Sequence, residues 1–160
     1  MTRLGVAAVL TTAATLGITA TPAFAACGSK CDGKNPASYT YLDTSVGGPG
    51  ATVLCQTDAK RPSVSGKVYK KLANPNLGEN SAYVELRYSP TCRTAWARTN
   101  AYQWTVYVVS YNANGSYRTQ AEQVTNSTVK WSAMVNDAGM KAKACLVVPV
   151  SEPDLCTDLY

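Results

Sequence analysis

A chain of 160 residues with a formal net charge of +5 and no histidine has room for one domain and lacks the groups for several kinds of chemistry. The missing histidine excludes Ser-His-Asp and Cys-His nucleophilic catalysis, histidine general bases and histidine-ligated metals. The positive charge is dispersed, with close pairs only at 60–61, 70–71 and 141/143, so we expect no nucleic-acid partner, which would need a focused basic patch.

The N-terminal residues 1–25 predict a secretory signal peptide. They contain one basic residue, no acid, an apolar run of small residues over 4–20 and an A-x-A cleavage sequence at 23–25. A lipid anchor on Cys27 is disfavoured because Phe24 stands where a lipobox has a small or aliphatic residue. No later stretch is apolar for 18 residues, so we expect no membrane span and a secreted, extracellular protein.

Residues 26–62 predict an irregular arm pinned by cysteines. The segment is rich in Gly, Pro, Ser, Thr and Asp, with turn signals at Asp32-Gly33, at Asn35-Pro36 and over 47–50. We expect no regular element here.

Residues 63–160 predict a β-domain. Alternating apolar and polar residues are typical of half-buried strands, and the Asn-Gly sequence within 112–115 is a strong hairpin signal. One short helix is predicted over 91–98, with Ser89 as its cap and Pro90 at its first position. The predicted fold is all-β: a small disulfide-stapled antiparallel β-barrel or sandwich with an irregular N-terminal arm and at most one short helix. The predicted strands are 64–72, 82–88, 103–111, 116–124, 128–135 and 140–148.

All six cysteines follow the predicted cleavage site, and an even number in an oxidising compartment predicts three disulfides. We expect Cys145 and Cys156 to close the C-terminal tail, and the other four to tie the arm to the β-domain in a pairing that the sequence leaves open. Without histidine or a second close cysteine pair, zinc is disfavoured, and we expect no metal and no cofactor. The six are Cys27, Cys31, Cys55, Cys92, Cys145 and Cys156.

A possible binding surface is carried by arginines and aromatic residues. In YVELRYSPTCRTAWAR (83–98), Trp96 stands between Arg93 and Arg98, which fits either a structural corner or an arginine clamp for a carboxylate, phosphate or sugar. Tyrosine and tryptophan on the predicted hairpin 103–124 fit a contact surface or ordinary cross-strand packing. The candidate residues are Tyr39, Tyr41, Arg87, Arg93, Trp96, Arg98, Trp104, Tyr107 and Tyr111.

Catalysis by carboxylates would need two of them facing each other across a cleft, and the sequence marks no such pair. Glu85, Glu122 and Asp137 are the candidates, although Asp137 lies in a predicted turn whose own hydrogen bonds would account for it. Calcium at Asp32-Gly33 is disfavoured because a D-x-D-x-D pattern is missing. We therefore predict no catalytic residue.

Four segments together resemble the secreted actinobacterial family of domain of unknown function 2690. They are YVELRYSPTCRTAWAR, Cys27-x3-CDGKNP, CQTDA at 55–59 and Trp131-x2-MVND-x-G-x4-AC at 131–145. The resemblance covers nearly all of the chain after the leader. It implies secretion and a small disulfide-bonded β-fold, and it supplies no activity. The chain departs from the family in a longer segment between Pro36 and Cys55 and in the tail that carries Cys156.

These features predict a secreted non-catalytic binding or adaptor protein, monomeric when free. It would dock onto another protein or a cell-envelope polymer, and it could serve as a subunit of an extracellular antibacterial assembly. One alternative is an inhibitor of an extracellular protease or other hydrolase that inserts the loop 36–54 into its target. The other is a carboxylate-dependent hydrolase of cell-wall material or polysaccharide.

Overall fold

The computed structural model describes residues 27–43, 51–62, 68–72, 82–148 and 153–160. The predicted signal peptide therefore lies outside the described residues. A single 3-10 turn at Gly28–Cys31 precedes ten strands in the described part of the chain. The strands are β1 (Thr40–Asp43), β2 (Ala51–Leu54), β3 (Tyr69–Lys71), β4 (Tyr83–Ser89), β5 (Thr94–Thr99), β6 (Thr105–Tyr111), β7 (Tyr117–Val124), β8 (Val135–Asn136), β9 (Lys141–Leu146) and β10 (Leu155–Cys156).

Two four-stranded antiparallel sheets face each other. Their strand orders are β3-β4-β5-β8 and β10-β9-β6-β7. They are not closed into a barrel, so the predicted all-β, disulfide-linked fold is confirmed in its sandwich form. Within the described residues, no helix is long and apolar enough to cross a membrane.

The main core lies between the two sheets and follows from strand alternation. Leu86 and Val84 of β4 and Val106 and Val108 of β6 belong to this core, and all four are fully buried. Small alanines on β5 and β9 complete the layer. Trp104 packs partly against this core, so it faces the opposite way from Tyr107 and Tyr111.

A second apolar cluster covers part of the outer face of the β3-β4-β5-β8 sheet. It contains four cysteines together with Trp96 and Met134. Cys55–Cys92 ties the arm to the sheet, whereas Cys27–Cys31 closes a loop within the arm. The predicted Cys145–Cys156 disulfide is confirmed, and it brings β10 beside β9.

The helix predicted over 91–98 was wrong. Ser89 does begin a cap-like turn, because its Oγ accepts the N–H of Cys92 at 3.1 Å. Arg93 then takes a positive φ of 52°, which no helix allows, and turns the chain into β5. The ladder that β5 makes with β4 over six residues outweighs the local helix preference.

Two further predictions need correction. The strand predicted over 128–135 is reduced to β8 and one isolated bridge, because the Asn126 side chain accepts the N–H groups of Thr128 and Val129 and makes a turn there. The arm is not wholly irregular, since β1 and β2 pair over four residues. The predicted hairpin at 112–115 is confirmed, with Gly115 at φ 87°. Part of the strand predicted over 64–72 lies outside the described residues.

Candidate functional site

Strand β4 places polar side chains on the outer face of its sheet. Because side chains alternate along a strand, Leu86 points into the core while Glu85 and Arg87 point outward. The antiparallel register sets Arg98 of β5 opposite Glu85 on one side and Tyr69 of β3 opposite it on the other. The strand pairing alone thus collects charged and aromatic groups around Glu85.

The Glu85 carboxylate is the centre of an ion-pair cluster. Its side chain is only 3% exposed, and its Oε2 accepts hydrogen bonds from Nη2 of Arg61 and, at 3.0 Å, from Nε of the same residue. Its Oε1 accepts from Nη1 of Arg98 at 3.3 Å and lies 3.8 Å from Nη1 of Arg87. Nη2 of Arg87 also donates to the carbonyl of Ala59 at 2.7 Å. One buried carboxylate therefore orients three guanidinium groups.

We call Arg61, Tyr69, Glu85, Arg87 and Arg98 the arginine face. The side chains of Arg61 and Arg98 are 49% and 47% exposed, so their charges reach solvent. Arg61 also lies 4.5 Å from the centre of the Tyr69 ring, a cation–π contact. Three cations against one anion leave an excess of positive charge, and the unused N–H donors of the exposed guanidiniums suit a carboxylate or phosphate.

A groove adjoins the arginine face at Trp131, which pairs with Arg98 in an isolated β-bridge. Its volume is about 140 Å³, and Trp131, Asn35, Gln123 and Val129 are among its lining residues. The indole N–H of Trp131 donates to Oδ1 of Asn35 at 3.1 Å. We call this feature the Trp131 groove. It combines an aromatic ring with two side-chain amides.

Asp137 is a buried carboxylate beside two guanidinium groups. It is 7% exposed, and its Oδ1 accepts no hydrogen bond from the described residues. Burial raises the pKa of Asp137 to about 7, although the positive charges of Arg93 and Arg118 act in the other direction. Burial also raises the pKa of Tyr88, and the charge of Asp137 adds to that effect. Because Asp137 is enclosed, we assign it no contact with a substrate.

The prediction that the turn would satisfy the Asp137 side chain was wrong. The neighbouring residue Asn136 makes the side-chain hydrogen bond of this turn instead, because its Oδ1 accepts the N–H of Ala138 at 3.2 Å. The backbone N–H of Asp137 donates to the carbonyl of Arg93 at 2.9 Å, which brings the β4–β5 turn against the turn after β8.

A second ion pair joins the arm to the sandwich, and the sequence did not predict it. Arg118 of β7 donates to both carboxylate oxygens of Asp32, at 2.7 and 2.8 Å. Asp32 also accepts the N–H of Asn136 at 2.7 Å. Burial works against the charge of Asp32, but these hydrogen bonds and the charge of Arg118 outweigh it and lower the pKa of Asp32 below its usual range. With both oxygens of Asp32 engaged, a calcium role has no support, and the described residues contain no cluster of three or more metal-ligating side chains.

The predicted aromatic surface is divided among several places. Trp96 is 2% exposed in the second cluster, so it is not a free contact residue, and Tyr39 and Tyr41 pack against the same cluster. On the outer face of the other sheet, the Tyr107 hydroxyl donates to Asp154, and Lys143 lies 5.8 Å from the ring centre of Tyr111.

The predicted arginines are also divided. Arg87 and Arg98 lie together on the arginine face, whereas Arg93 lies in the β4–β5 turn beside Tyr88 and Asp137. The sequence prediction missed Arg61, because only the bridge between Lys60 and Tyr88 brings it to β4.

The three candidate carboxylates do not form a facing pair. Glu85 lies on the outer face of one sheet, and Glu122 pairs with the outward residue Tyr107 on the other sheet. Two sheets therefore separate Glu85 from Glu122. Asp137 lies in the turn after β8 and is buried. This arrangement lacks the cleft that hydrolysis by two carboxylates requires.

The fold and the site define a small disulfide-bonded β-sandwich whose outer face carries an arginine cluster. The chain belongs to the family described as protein of unknown function DUF2690, whose model matches residues 29–145. This confirms the family resemblance, and the match ends before the tail that carries Cys156. Comparisons with curated proteins and with solved structures found no match.

Proposed function

We propose that the protein is a secreted non-catalytic binding protein that docks through its arginine face onto an anionic extracellular partner, either another protein or a cell-envelope polymer. The observation that carries the proposal is the buried Glu85 carboxylate, which orients three guanidinium groups toward one surface. Membership of an extracellular antibacterial assembly is one setting for such an adaptor.

The geometry of the arginine face supports binding more than stability. A carboxylate that needed only charge compensation would be satisfied by one bidentate arginine, whereas Glu85 is shared by Arg61, Arg87 and Arg98. Arginine is weakly hydrated and presents its donors in a planar fork, so exposed guanidiniums lose little when they bind an anion. Because Glu85 and the Tyr69 ring already hold Arg61, less side-chain entropy is lost on binding.

Secretion and the absence of catalysis are supported by other features. The leader sequence and three disulfides fit an oxidising extracellular compartment. The chain has no histidine, and its candidate carboxylates Glu85 and Glu122 lie on opposite faces. These features together favour a contact surface over an active site.

The test uses the protein collected from the culture medium of a host that carries the whole gene, and its absence from the medium would contradict secretion. Binding to polyphosphate, a simple polyanion, is titrated at several salt concentrations. The wild type should bind with an affinity that falls as salt rises. The R61Q/R98Q variant should bind about a hundredfold more weakly, at roughly tenfold for each charge-assisted contact.

The matched control is K141Q/K143Q, which removes the same charge from two lysines of β9 in the other sheet. It should keep most of the affinity. Equal losses in the two double variants would show that net charge alone drives binding, and the arginine face would then lose its assigned role.

Inhibition of an extracellular hydrolase is the second candidate, and one observation favours it. The arm forms a hairpin anchored by Cys55–Cys92, and Leu42 on its first strand is 53% exposed. Residues 44–50, between the two strands in the sequence, lie outside the described residues. A panel of secreted proteases and glycosidases, assayed with and without the protein, should show inhibition that L42D abolishes. No inhibition at micromolar concentration would remove this candidate.

A further inference from the structure

Arg98 and Trp131 are direct neighbours across two antiparallel segments. Two 2.9 Å hydrogen bonds flank their bridge. The N–H of Thr99 donates to the carbonyl of Lys130, and the N–H of Ser132 donates to the carbonyl of Ala97. This pattern defines a non-hydrogen-bonded pair, in which the two Cα atoms are about 4.5 Å apart and the side chains lie on the same face. The arginine face and the Trp131 groove are therefore adjoining parts of one surface.

The polar groups of the groove suit hydroxyl groups. Oδ1 of Asn35 accepts N–H groups from Trp131 and, at 2.9 Å, from Ala37, which identifies the oxygen and leaves the amide nitrogen as a donor at the groove. Gln123 uses its amide nitrogen to donate to the carbonyl of Val124, which leaves its oxygen as an acceptor. A donor and an acceptor beside an aromatic ring match a sugar ring, which has hydroxyls at its edge and C–H groups on its face.

The size of the groove and the polarity of the surface restrict the occupant. A volume of about 140 Å³ is well below the roughly 300–1,000 Å³ of sites for drug-sized ligands, so the groove would take a single ring. The large apolar side chains most exposed in the described residues, such as Tyr117 and Leu42, belong neither to the groove lining nor to the arginine face. The aromatic residues of this surface, Trp131 and Tyr69, are only partly exposed and lie among charged and amide groups, so among the described residues no large exposed apolar side chain marks it for a protein partner.

We propose that the arginine face and the Trp131 groove form one recognition site for an anionic glycan, with a sugar ring in the groove and an acidic group of the same polymer on Arg98. This inference rests on the proposed function and deepens it, because it selects an envelope polymer over a protein. The charge gives affinity for any polyanion, and the groove gives preference for a polymer that carries sugars.

Two probes with the same backbone charge separate these contributions: poly(glycerol phosphate) substituted with single sugars, and the unsubstituted polymer. The wild-type protein should bind the substituted polymer about tenfold more tightly. Q123A should remove that preference, because it deletes the acceptor in the groove, and R98Q should weaken both polymers alike. Q120A is the matched control on the exposed outer side of the same strand, and it should change neither affinity.

The outcomes distinguish the inference from the function on which it rests. Equal wild-type affinity for the two polymers, with R98Q still harmful, would overturn the glycan site and leave the anionic contact surface intact. Indistinguishable effects of Q123A and Q120A would also overturn the glycan site. If neither polymer binds, the proposal that the protein docks onto a cell-envelope polymer is itself refuted. Capture of an acidic protein in a manner that depends on Arg98 and not on Gln123 would replace the glycan by a protein partner.

Discussion

Replacing Asp137 by asparagine should make the protein progressively more stable than the wild type as the pH rises from about 4 to about 8. The wild-type carboxyl must ionise in a buried site where its Oδ1 accepts no hydrogen bond from the described residues. Asparagine has nearly the same shape and never ionises. Any constant cost of the amide group changes the offset between the two proteins but not its dependence on pH.

The magnitude follows from the pKa. Burial moves the pKa of Asp137 from an ordinary value of 3.8 to about 7, which is about three powers of ten in proton affinity and corresponds to about 4 kcal/mol. The folded protein holds the proton more tightly than the unfolded chain. The stabilisation that the neutral acid provides is therefore complete below about pH 3.8, declines as the pH rises, and is lost once the pH passes about 7.

The groups around Asp137 keep their own charge states over this range. Arg118 stays protonated because its pKa is raised, Tyr88 stays neutral because its pKa is raised above 10, and Asp32 stays ionised because its pKa is lowered. The pH dependence of the difference between the two proteins should therefore report Asp137 alone.

The measurement is urea unfolding of the wild type and D137N at unit steps from pH 4 to pH 8. The free energy of unfolding of the variant, minus that of the wild type, should rise by about 4 kcal/mol across the series. D158N is the control, because Asp158 is half exposed and its ion pair with Lys70 is worth at most about 1 kcal/mol. Parallel stability curves for D137N and the wild type would refute the reasoning, since they would mean that Asp137 ionises in the folded protein as easily as in water.

Three other predictions concern the contacts that hold the arm and the arginine face. Asp32→Asn should cost about 2 kcal/mol near neutral pH by removing the ion pair with Arg118. The loss should shrink as the pH falls below 3.8 and through the lowered pKa of the wild-type carboxyl; thermal melts at pH 7 and about pH 2 compare the two proteins. Glu85→Gln should lower the free energy of unfolding by about 2 kcal/mol, because a buried amide replaces a carboxylate that accepts charge-assisted hydrogen bonds; an unchanged melting temperature would contradict this. Replacing Cys55 and Cys92 by serine opens a cross-link with a sequence separation of 37 and should cost about 4 kcal/mol in guanidinium unfolding, whereas a loss below 1 kcal/mol would show that the ion pairs hold the arm unaided.

Local pattern was sufficient to predict an all-β fold, although not to choose the sandwich over the barrel, because the long strands carry their own signals. The alternation over 82–88 and the Asn-Gly hairpin at 112–115 depend on neighbours within a few residues, and both predictions were confirmed. The helix prediction over 91–98 failed because it depended on local signals alone. Its helix-start signals are local, whereas β5 also pairs with the distant strand β8, Thr94 with Asn136 and Ala95 with Val135.

The candidate site could be predicted only where it follows the strand register. Arg87 and Arg98 were found because they lie on the same β4–β5 hairpin as Glu85. Arg61 is 24 residues from Glu85 along the chain, and Asp32 is 86 from its partner on β7. To predict contacts over such distances, one must know where the arm returns to the sheet, and no sequence motif in this chain indicates that position.

The arm also decides which part of the outer face remains available to a partner. It covers Trp96 with the cysteine cluster and leaves the neighbouring arginines exposed. The Asp32 ion pair and the Cys55–Cys92 disulfide hold the arm in this position in the free protein. A surface fixed in advance loses little entropy on binding, so its affinity should depend on which donors it presents more than on its area. Loosening the arm by opening this disulfide should therefore weaken anion binding even though no arginine is changed.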